Sequence, residues 1–249
     1  MKAFAFVMPT FLLMIIILPL FSVPLRSVAS ALLDPETLYA FQLSVFTASV
    51  ATALALLVAI PSGYSLSKGC RFSRVLKAIS MIPLALPPVA LGALLLIFFS
   101  RTPLGNLVNS VIPIVFNVPG LIVAQFVVAY PISLRVIESS MHMLDEELLT
   151  LSRVYGCDGL CLIRKVILPI IAPGLRAASL LSFARSLGEF GASVTLAGAI
   201  RFKTETLPIA IYLTLSSGEL EKTLALIFVT AMLSLILFII GEGNEGAGS

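Results

Sequence analysis

The chain has 249 residues, of which 59% are hydrophobic and 12% are charged, and its formal net charge is +3. Soluble domains are about 45–50% apolar and about 25% charged, so this chain carries too few charges to cover a water-facing surface. The small positive charge does not indicate a nucleic-acid partner, because the basic residues are not interleaved with aromatic ones. The composition therefore indicates a protein of the lipid bilayer.

Apolar runs about as long as a hydrocarbon core is thick follow one another along the sequence. There are six, at residues 4–24, 41–66, 78–100, 120–137, 171–198 and 222–241. Each run is expected to be a helix, because lipid offers the backbone no hydrogen-bond partner and the runs lack the alternating pattern of a barrel. Prolines such as Pro61 and Pro131 are expected to bend these helices. The sequence predicts an all-α polytopic membrane protein with one transmembrane domain over residues 1–241.

The first run allows a second interpretation, a cleavable signal peptide, because Lys2 precedes it and Ser27-Val28-Ala29 follows it. The run is longer than the usual signal core of about 7–15 residues, which favours a span. Cleavage would also leave the later basic loops on the wrong side of the membrane. We therefore expect the first run to remain as a helix of the mature protein.

The basic residues predict the orientation. The loop between the second and third runs and the loop between the fourth and fifth carry most of them: Lys68, Arg71, Arg74, Lys77, Arg153, Arg164 and Lys165. The opposite loops carry fewer, so the positive-inside rule makes the richer loops cytoplasmic. A multi-pass protein of the cell membrane with both termini in the cytoplasm is expected. The small, acidic tail 242–249 is expected to be disordered.

The chain offers little sign of its own chemistry. Cys70, Cys157 and Cys161 lack the spacing of a disulfide framework, and no histidine joins them in a metal site. The only histidine, His142, has no catalytic motif beside it. A phosphate loop of the G-x-x-x-x-G-K-[ST] type is missing from the sequence, so any ATP hydrolysis is expected on another chain. Catalytic and metal residues are not predicted.

Residues 138–169 form the longest predicted cytoplasmic segment, and their pattern is helical. Asp145 is placed to cap a first helix, which Gly156 would end. Asp158 could cap a second helix, with Pro169 as its stop. The sequence predicts a helix-turn-helix outside the bilayer.

The first of these helices carries an apolar stripe. Its members recur at helical spacing on one face: Leu144, Leu148, Leu151 and Tyr155. This face must be buried against either the ends of the chain's own spans or a cytoplasmic partner. The sequence leaves both possibilities open.

The same segment resembles a known family. Residues 150–156 read Thr-Leu-Ser-Arg-Val-Tyr-Gly, and Val166-Ile167-Leu168-Pro169 follows after nine residues. This spacing resembles the Glu-Ala-Ala loop of ABC importer permeases, although the triplet is Thr-Leu-Ser and Glu147 lies three residues too early. The resemblance implies that the loop couples the permease to an ATPase subunit. The coupling residues it implies are Glu147, Leu148, Leu151, Tyr155, Gly156, Leu168 and Pro169.

Two further segments narrow the resemblance. Residues 183–192, Phe-Ala-Arg-Ser-Leu-Gly-Glu-Phe-Gly-Ala, are similar to the signature of molybdate, tungstate and sulfate permeases. Residues 83–92 with Pro103-Leu104-Gly105 are similar to the molybdate/tungstate branch. The resemblance covers about residues 40–240 and implies a homodimer, two ATPase subunits that hold ATP and Mg, and an external oxyanion-binding protein. A sulfate permease, or a secondary transporter or channel without an ATPase, stays possible. We find no internal repeat that favours the secondary transporter.

The signature also has a physical interpretation. Arg185 and Glu189 should not face lipid, because a charge in a membrane helix costs at least about 2.5–3.5 kcal/mol. At a spacing of four residues they could pair with each other, or they could line a translocation path. On a helical projection they share a face with serines, which makes the path candidates Ser182, Arg185, Ser186, Glu189 and Ser193. Gly188 and Gly191 lie on another side, where they are expected to allow close helix packing.

Overall fold

A computed structural model of the chain describes residues 4–20, 25–69 and 72–243. Lys2, Cys70, Arg71, the last part of the first run (21–24) and residues 244–249 lie outside these ranges. All secondary structure in the described ranges is helical. The helices are α1 (Phe4–Leu20), α2 (Leu25–Leu33), α3 (Pro35–Ser67), α4 (Ser73–Ala85), α5 (Pro88–Arg101), α6 (Pro103–Val111), α7 (Val118–Met141), α8 (Glu146–Val154), α9 (Leu160–Leu162), a π-helical turn (Ile163–Ile167), α10 (Leu168–Leu187), α11 (Gly191–Ala197), α12 (Leu207–Ser216) and α13 (Leu220–Gly243).

Four stretches among the described residues are long and apolar enough to cross a membrane as single helices. They are Pro35–Ser67, Val118–Met141, Leu160–Leu187 and Leu220–Ile239. The predicted all-α membrane fold is therefore confirmed. The single transmembrane domain over residues 1–241 stays a prediction.

The predicted third span is not one straight helix. It is the pair α4 and α5, which meet at an angle of 110° and would make a fifth span if counted together. Leu86 is extended, with φ −78° and ψ 141°, because a residue that precedes a proline is driven out of the helical region. Pro87 and Pro88 then begin α5. The apolar run predicted a span there but not its bend.

The chain divides into two compact units. The first comprises Met1–Ser44 and Ala199–Ile236, and the second comprises Val45–Gly198 and Leu237–Ser249. In the first unit, Ala40 of α3, Leu207 and Ala210 of α12 and Leu226 of α13 form the core. A backbone N–H at the start of α12, that of Leu207, donates to the hydroxyl of Ser44 over 2.7 Å.

Ion pairs connect several helix ends and loops within the first unit. The ammonium of Lys222 lies 2.6 Å from both Asp34 Oδ2 and Glu36 Oε2, and Arg201 Nε lies 3.1 Å from Glu36 Oε1. The hydrogen bond from Lys222 lowers the pKa of Asp34. Glu205 is buried nearby, and desolvation, together with the charge of Glu36, raises its pKa. These contacts tie the start of α3 to the start of α13.

The second unit is built around the antiparallel pair α7 and α10. Gly174 of α10 faces Ser140 of α7, where an added Cβ would overlap the serine hydroxyl. The hydroxyl of Ser182, eight residues further along α10, lies 2.6 Å from the hydroxyl of Ser133. Ser133 is seven residues before Ser140 on α7. The opposite directions of these steps make the two helices antiparallel. A second cluster packs α5 and α11 against α7 around Leu91, Phe99, Ala124, Val128 and Leu196.

Candidate functional site

The charged pair of the signature lies at the end of α10. Arg185 Nη1 is 2.7 Å from Glu189 Oε2, which is the ion pair that the four-residue spacing predicts. The Glu189 side chain is 1% exposed, whereas that of Arg185 is 32% exposed. The carboxylate is therefore enclosed, and the guanidinium reaches the surface of the protomer.

Glu189 also stabilises the point at which the predicted fifth span is interrupted. Its Oε1 accepts a hydrogen bond of 2.8 Å from the backbone N–H of Ala192, in the first turn of α11. The first N–H groups of a helix have no partner within the helix, and a carboxylate suits them. Residues 188–190 thus separate α10 from α11, so the prediction of one continuous helix over residues 171–198 is wrong. The helical projection fails at the same point, because Ser193 lies on a different helix from Ser182.

The three serines among the path candidates are enclosed within the protomer. Ser182, Ser186 and Ser193 are all 0% exposed. Ser182 is satisfied by Ser133 of α7, while the hydroxyls of Ser186 and Ser193 have no hydrogen-bond partner among the described residues. Arg185 is the path candidate that reaches the surface here. The path-lining role of all five residues stays a prediction.

Gln125 of α7 is a polar residue that the sequence analysis missed. It is 1% exposed, and neither its amide nitrogen nor its amide oxygen has a hydrogen-bond partner among the described residues. Gln125 stands near the start of the apolar run 120–137, and a polar amide inside such a run is the signal that could have found it. An unsatisfied amide in a membrane-spanning helix is costly.

Gly191 allows the close packing expected of it. A Cβ added there would lie 2.6 Å from Pro88 Cβ and 3.0 Å from the nitrogen of Val89, so α11 rests directly on the start of α5. At Gly188 the nearest atom would be the carbonyl oxygen of Ala184 at 3.6 Å, an ordinary contact. The expectation of close packing is therefore confirmed for Gly191 and wrong for Gly188.

The second candidate site is the loop that contains α8. The Asp145 side chain accepts a hydrogen bond of 2.9 Å from the N–H of Glu147, which confirms the predicted cap. Gly156 has φ +79°, the left-handed conformation predicted for the end of this helix. The predicted cap at Asp158 is wrong: α9 begins at Leu160 after Gly159 and has no side-chain cap, and Asp158 accepts instead from the N–H of Gly159.

Pro169 does not stop the second helix of this loop, so that prediction is wrong. The π-helical turn Ile163–Ile167 leads directly into α10, and Pro169 stands in its first turn. The wider turn changes the hydrogen-bond register just before a residue that has no N–H to donate. The chain therefore passes from the loop into the membrane helix without a break.

The apolar stripe is largely exposed in the single chain. Leu148 is 42% exposed, Leu151 55% and Tyr155 86%, while Leu144 is half-buried against the core of the second unit. The residue that anchors α8 is Leu149, at 2% exposure on another face. Of the other residues implied in coupling, Glu147 and Pro169 are exposed and Leu168 is half-buried. Packing against the chain's own helices thus covers only Leu144 of the stripe.

A disulfide joins Cys157 and Cys161 in the turn between α8 and α9, with a Cα–Cα distance of 5.2 Å. The expectation that the spacing of the cysteines does not support disulfides is therefore wrong for this pair. Gly156, just before the first cysteine, and Gly159, between the two, both have positive φ and lie in the turn that separates α8 from α9.

The chain matches the profile of a family described as binding-protein-dependent transport system inner membrane component, over residues 51–243. It is 34% identical to the molybdenum transport system permease protein of Mycobacterium tuberculosis over 207 residues, 81% of this chain and 78% of that protein. It is 32% identical to a probable molybdenum ABC transporter permease protein of Haloferax volcanii over 222 residues, 88% of this chain and 80% of that protein.

Solved transporter structures share the fold. One is a bacterial alginate ABC transporter in complex with its alginate-bound periplasmic protein, with a TM-score of 0.68 and 14% identity over 96% of this chain and 92% of that chain. Another is the MetNI methionine ABC transporter in an inward-facing conformation, with a TM-score of 0.62 and 18% identity over 87% of this chain and 99% of that chain. At these identities the likeness concerns the fold alone.

The surroundings of Gly191 and Gly188 predict that alanine destabilises the protein at the first position and has little effect at the second. Gly191→Ala should destabilise the protein by about 1–3 kcal/mol, because the added methyl group overlaps Pro88 and the backbone of Val89. Gly188→Ala is the matched control and should change the unfolding midpoint little, since its φ of −85° suits alanine. Thermal unfolding of the purified variants in detergent measures both. Equal losses in the two variants would contradict the packing described here.

Proposed function

Because this chain belongs to the family of binding-protein-dependent transport system inner membrane components, we propose that it carries molybdate across the membrane as the permease of an ABC importer. The observation that supports this cargo is the similarity to a molybdenum permease and a probable molybdenum permease, 34% and 32% identical over most of the chain. The chain is a transport subunit, and ATP is hydrolysed on a separate subunit. Tungstate shares the tetrahedral dianionic chemistry, and sulfate is the alternative cargo.

We propose six spans with both termini in the cytoplasm. They are α1, α3, the bent pair α4 and α5, α7, α10 and α13. The helices of suitable length support four of them, and the bent pair supports a fifth. The basic residues around α8 and at the start of α4 support the orientation through the positive-inside rule.

The α8–α9 turn is the proposed contact with the ATPase. Three features support it: the cap at Asp145, the left-handed Gly156 and the exposed part of the apolar stripe. An apolar face that the chain does not cover itself is expected to be covered by a partner. Lys68 Nζ, 2.7 Å from Glu146 Oε1, ties α8 to the end of α3 and lowers the pKa of Glu146. Movement of the loop would therefore reach a membrane helix directly.

The assembly proposed for this chain contains a second copy, two ATPase subunits and an extracytoplasmic oxyanion-binding protein. The family description, which names binding-protein dependence, supports the external partner. Selectivity among oxyanions is assigned to that partner. In the permease, Arg185 would meet the dianion in transit, and Glu189 would hold the arginine in position.

The orientation predicts where cysteines can be labelled. Single-cysteine variants that keep either Cys70 or Cys157 should resist an impermeant thiol reagent added outside intact cells, because both loops would be cytoplasmic. The same variants should react after the membrane is permeabilised, which serves as the control. Labelling of either cysteine from outside would reverse the proposed orientation.

Substitutions at Gly156 test whether the α8–α9 turn couples this chain to an ATPase subunit. Gly156→Val should reduce co-purification of the ATPase several-fold, because a β-branched residue resists a φ of +79°. Gly156→Asn is the matched control, since asparagine tolerates this conformation. A Cβ at this position would meet no atom within 4 Å, so a clash would not explain the loss. Normal co-purification with the valine variant would refute the coupling role.

Uptake of molybdate into proteoliposomes that contain the permease, its ATPase and the binding protein tests the function itself. Uptake should require ATP, and ATP-independent uptake would favour a secondary transporter.

Arg185→Met should destabilise the protein by about 3–5 kcal/mol, because it leaves the buried carboxylate unpaired. Adding Glu189→Gln should restore stability but leave uptake at least about tenfold lower, since the positive group is gone. Full uptake by the double variant would eliminate the path-lining role of Arg185.

A further inference from the structure

A basic pocket lies in the second unit, where α4 meets the last turns of α7. Its volume is about 620 Å³, which is ample for a tetrahedral oxyanion. The lining residues come from one position on α4 and from the end of α7 and the turn that follows it: Lys77, Arg135, Val136, Glu138, Ser139, Ser140, His142 and Met143. The coupling stripe and the signature pair take no part in it.

The centre of the pocket is one buried carboxylate surrounded by basic side chains. The Glu138 side chain is 5% exposed and forms an ion pair with the ammonium of Lys77 through Oε1. Arg135 Nη1 lies 3.8 Å from Glu138 Oε2, and His142 Nε2 lies 3.6 Å from Oε1. Lys77 and Arg135 carry two positive charges and Glu138 carries one negative charge, so the pocket keeps an excess of positive charge.

Arg135 is the basic side chain of this pocket that is best placed to bind an anion. Its side chain is 73% exposed, and at 3.8 Å its contact with Glu138 is too long for a hydrogen bond. The guanidinium therefore keeps its planar set of N–H donors, which matches two oxygens of a phosphate-like group. Lys77 is 29% exposed and is held beside it by Glu138. Ser139 adds an exposed hydroxyl at the rim.

We propose that this pocket binds a tetrahedral oxyanion group, with Arg135 and Lys77 as its ligands and Glu138 as a positioning residue for Lys77. The group could be the phosphate of an anionic lipid or a free oxyanion. Exposed apolar side chains on α4, including Val75 and Ile79, would accommodate acyl chains beside the headgroup. The free oxyanion would enter through the open mouth of the pocket. The proposal depends on these residues alone and does not require that the chain transports molybdate.

Binding to the purified full-length chain in neutral detergent tests the free-anion source. Sodium molybdate and sodium phosphate are titrated separately by calorimetry, with chloride keeping the ionic strength constant. Arg135→Gln should weaken binding by about tenfold or more, which is the loss of one charge-assisted contact. Arg164→Gln, an exposed arginine outside the pocket, is the matched control and should bind as the wild type does.

Thermal unfolding in nanodiscs tests the lipid source. Discs of phosphatidylcholine are compared with discs of equal parts phosphatidylcholine and phosphatidylglycerol. A higher midpoint with phosphatidylglycerol, present in the wild type and in Arg164→Gln but absent in Arg135→Gln, identifies the headgroup as the ligand. Calorimetric binding that Arg135→Gln loses and Arg164→Gln keeps identifies the free oxyanion. Either result supports the site.

A double variant separates a ligand site from a plain tether between α4 and α7. Lys77→Met with Glu138→Gln removes the ion pair as a unit, so it should fold without leaving a buried charge. It should nevertheless lose the oxyanion or lipid response that the wild type shows. A response retained by this variant, a response lost equally in Arg164→Gln, or no response in the wild type with any of the probes would overturn the proposal.

Discussion

The structure depends on the rule that hydrocarbon offers no hydrogen bonds, so a polar group that lacks a partner within the protein is costly. Helices satisfy this rule for the backbone. Many of their serines donate to the carbonyl four residues earlier. Examples in the described helices are Ser49, Ser62, Ser100 and Ser179. Glu189 provides hydrogen-bond partners between α10 and α11, where the helix is interrupted. One carboxylate there accepts from Arg185 through one oxygen and from the start of α11 through the other.

Departures from regular helix occur where the local sequence weakens the hydrogen-bond ladder. Consecutive prolines bend α4 from α5, and the π-helical turn precedes Pro169. Packing then protects the irregular backbone: Gly191 brings α11 onto Pro88, and Gly92 leaves room for Ala192, whose Cα a Cβ at Gly92 would approach to 2.8 Å. The bend and the break thus meet in one packed region. Irregular backbone at membrane depth is tolerated when protein surrounds it in this way.

At the other end of α10 the chain leaves part of an apolar surface uncovered. α8 uses a single buried leucine, Leu149, to hold itself against the second unit. Most of its apolar stripe remains exposed, and an ion pair at the surface joins Glu146 of this helix to Lys68. α9, the π-helical turn and α10 follow one another without a gap, so this part of the loop is continuous with the helix that carries Arg185.

The amino-acid sequence by itself determined the membrane class, the helical fold, the positions of most spans, the cap at Asp145 and the left-handed turn at Gly156. It also allowed the pairing of Arg185 with Glu189 as one of two interpretations, and the structure shows the ion pair. These features follow from local periodicity, from the cost of charge in lipid and from spacing within one helix turn, all of which can be read along a chain. Tertiary structure alone decided the break after Leu187, the burial of Ser182, Ser186 and Ser193, the exposure of the apolar stripe and the basic pocket around Glu138. Each of these depends on which helix lies opposite. A periodic pattern shows that a face exists but not what covers it.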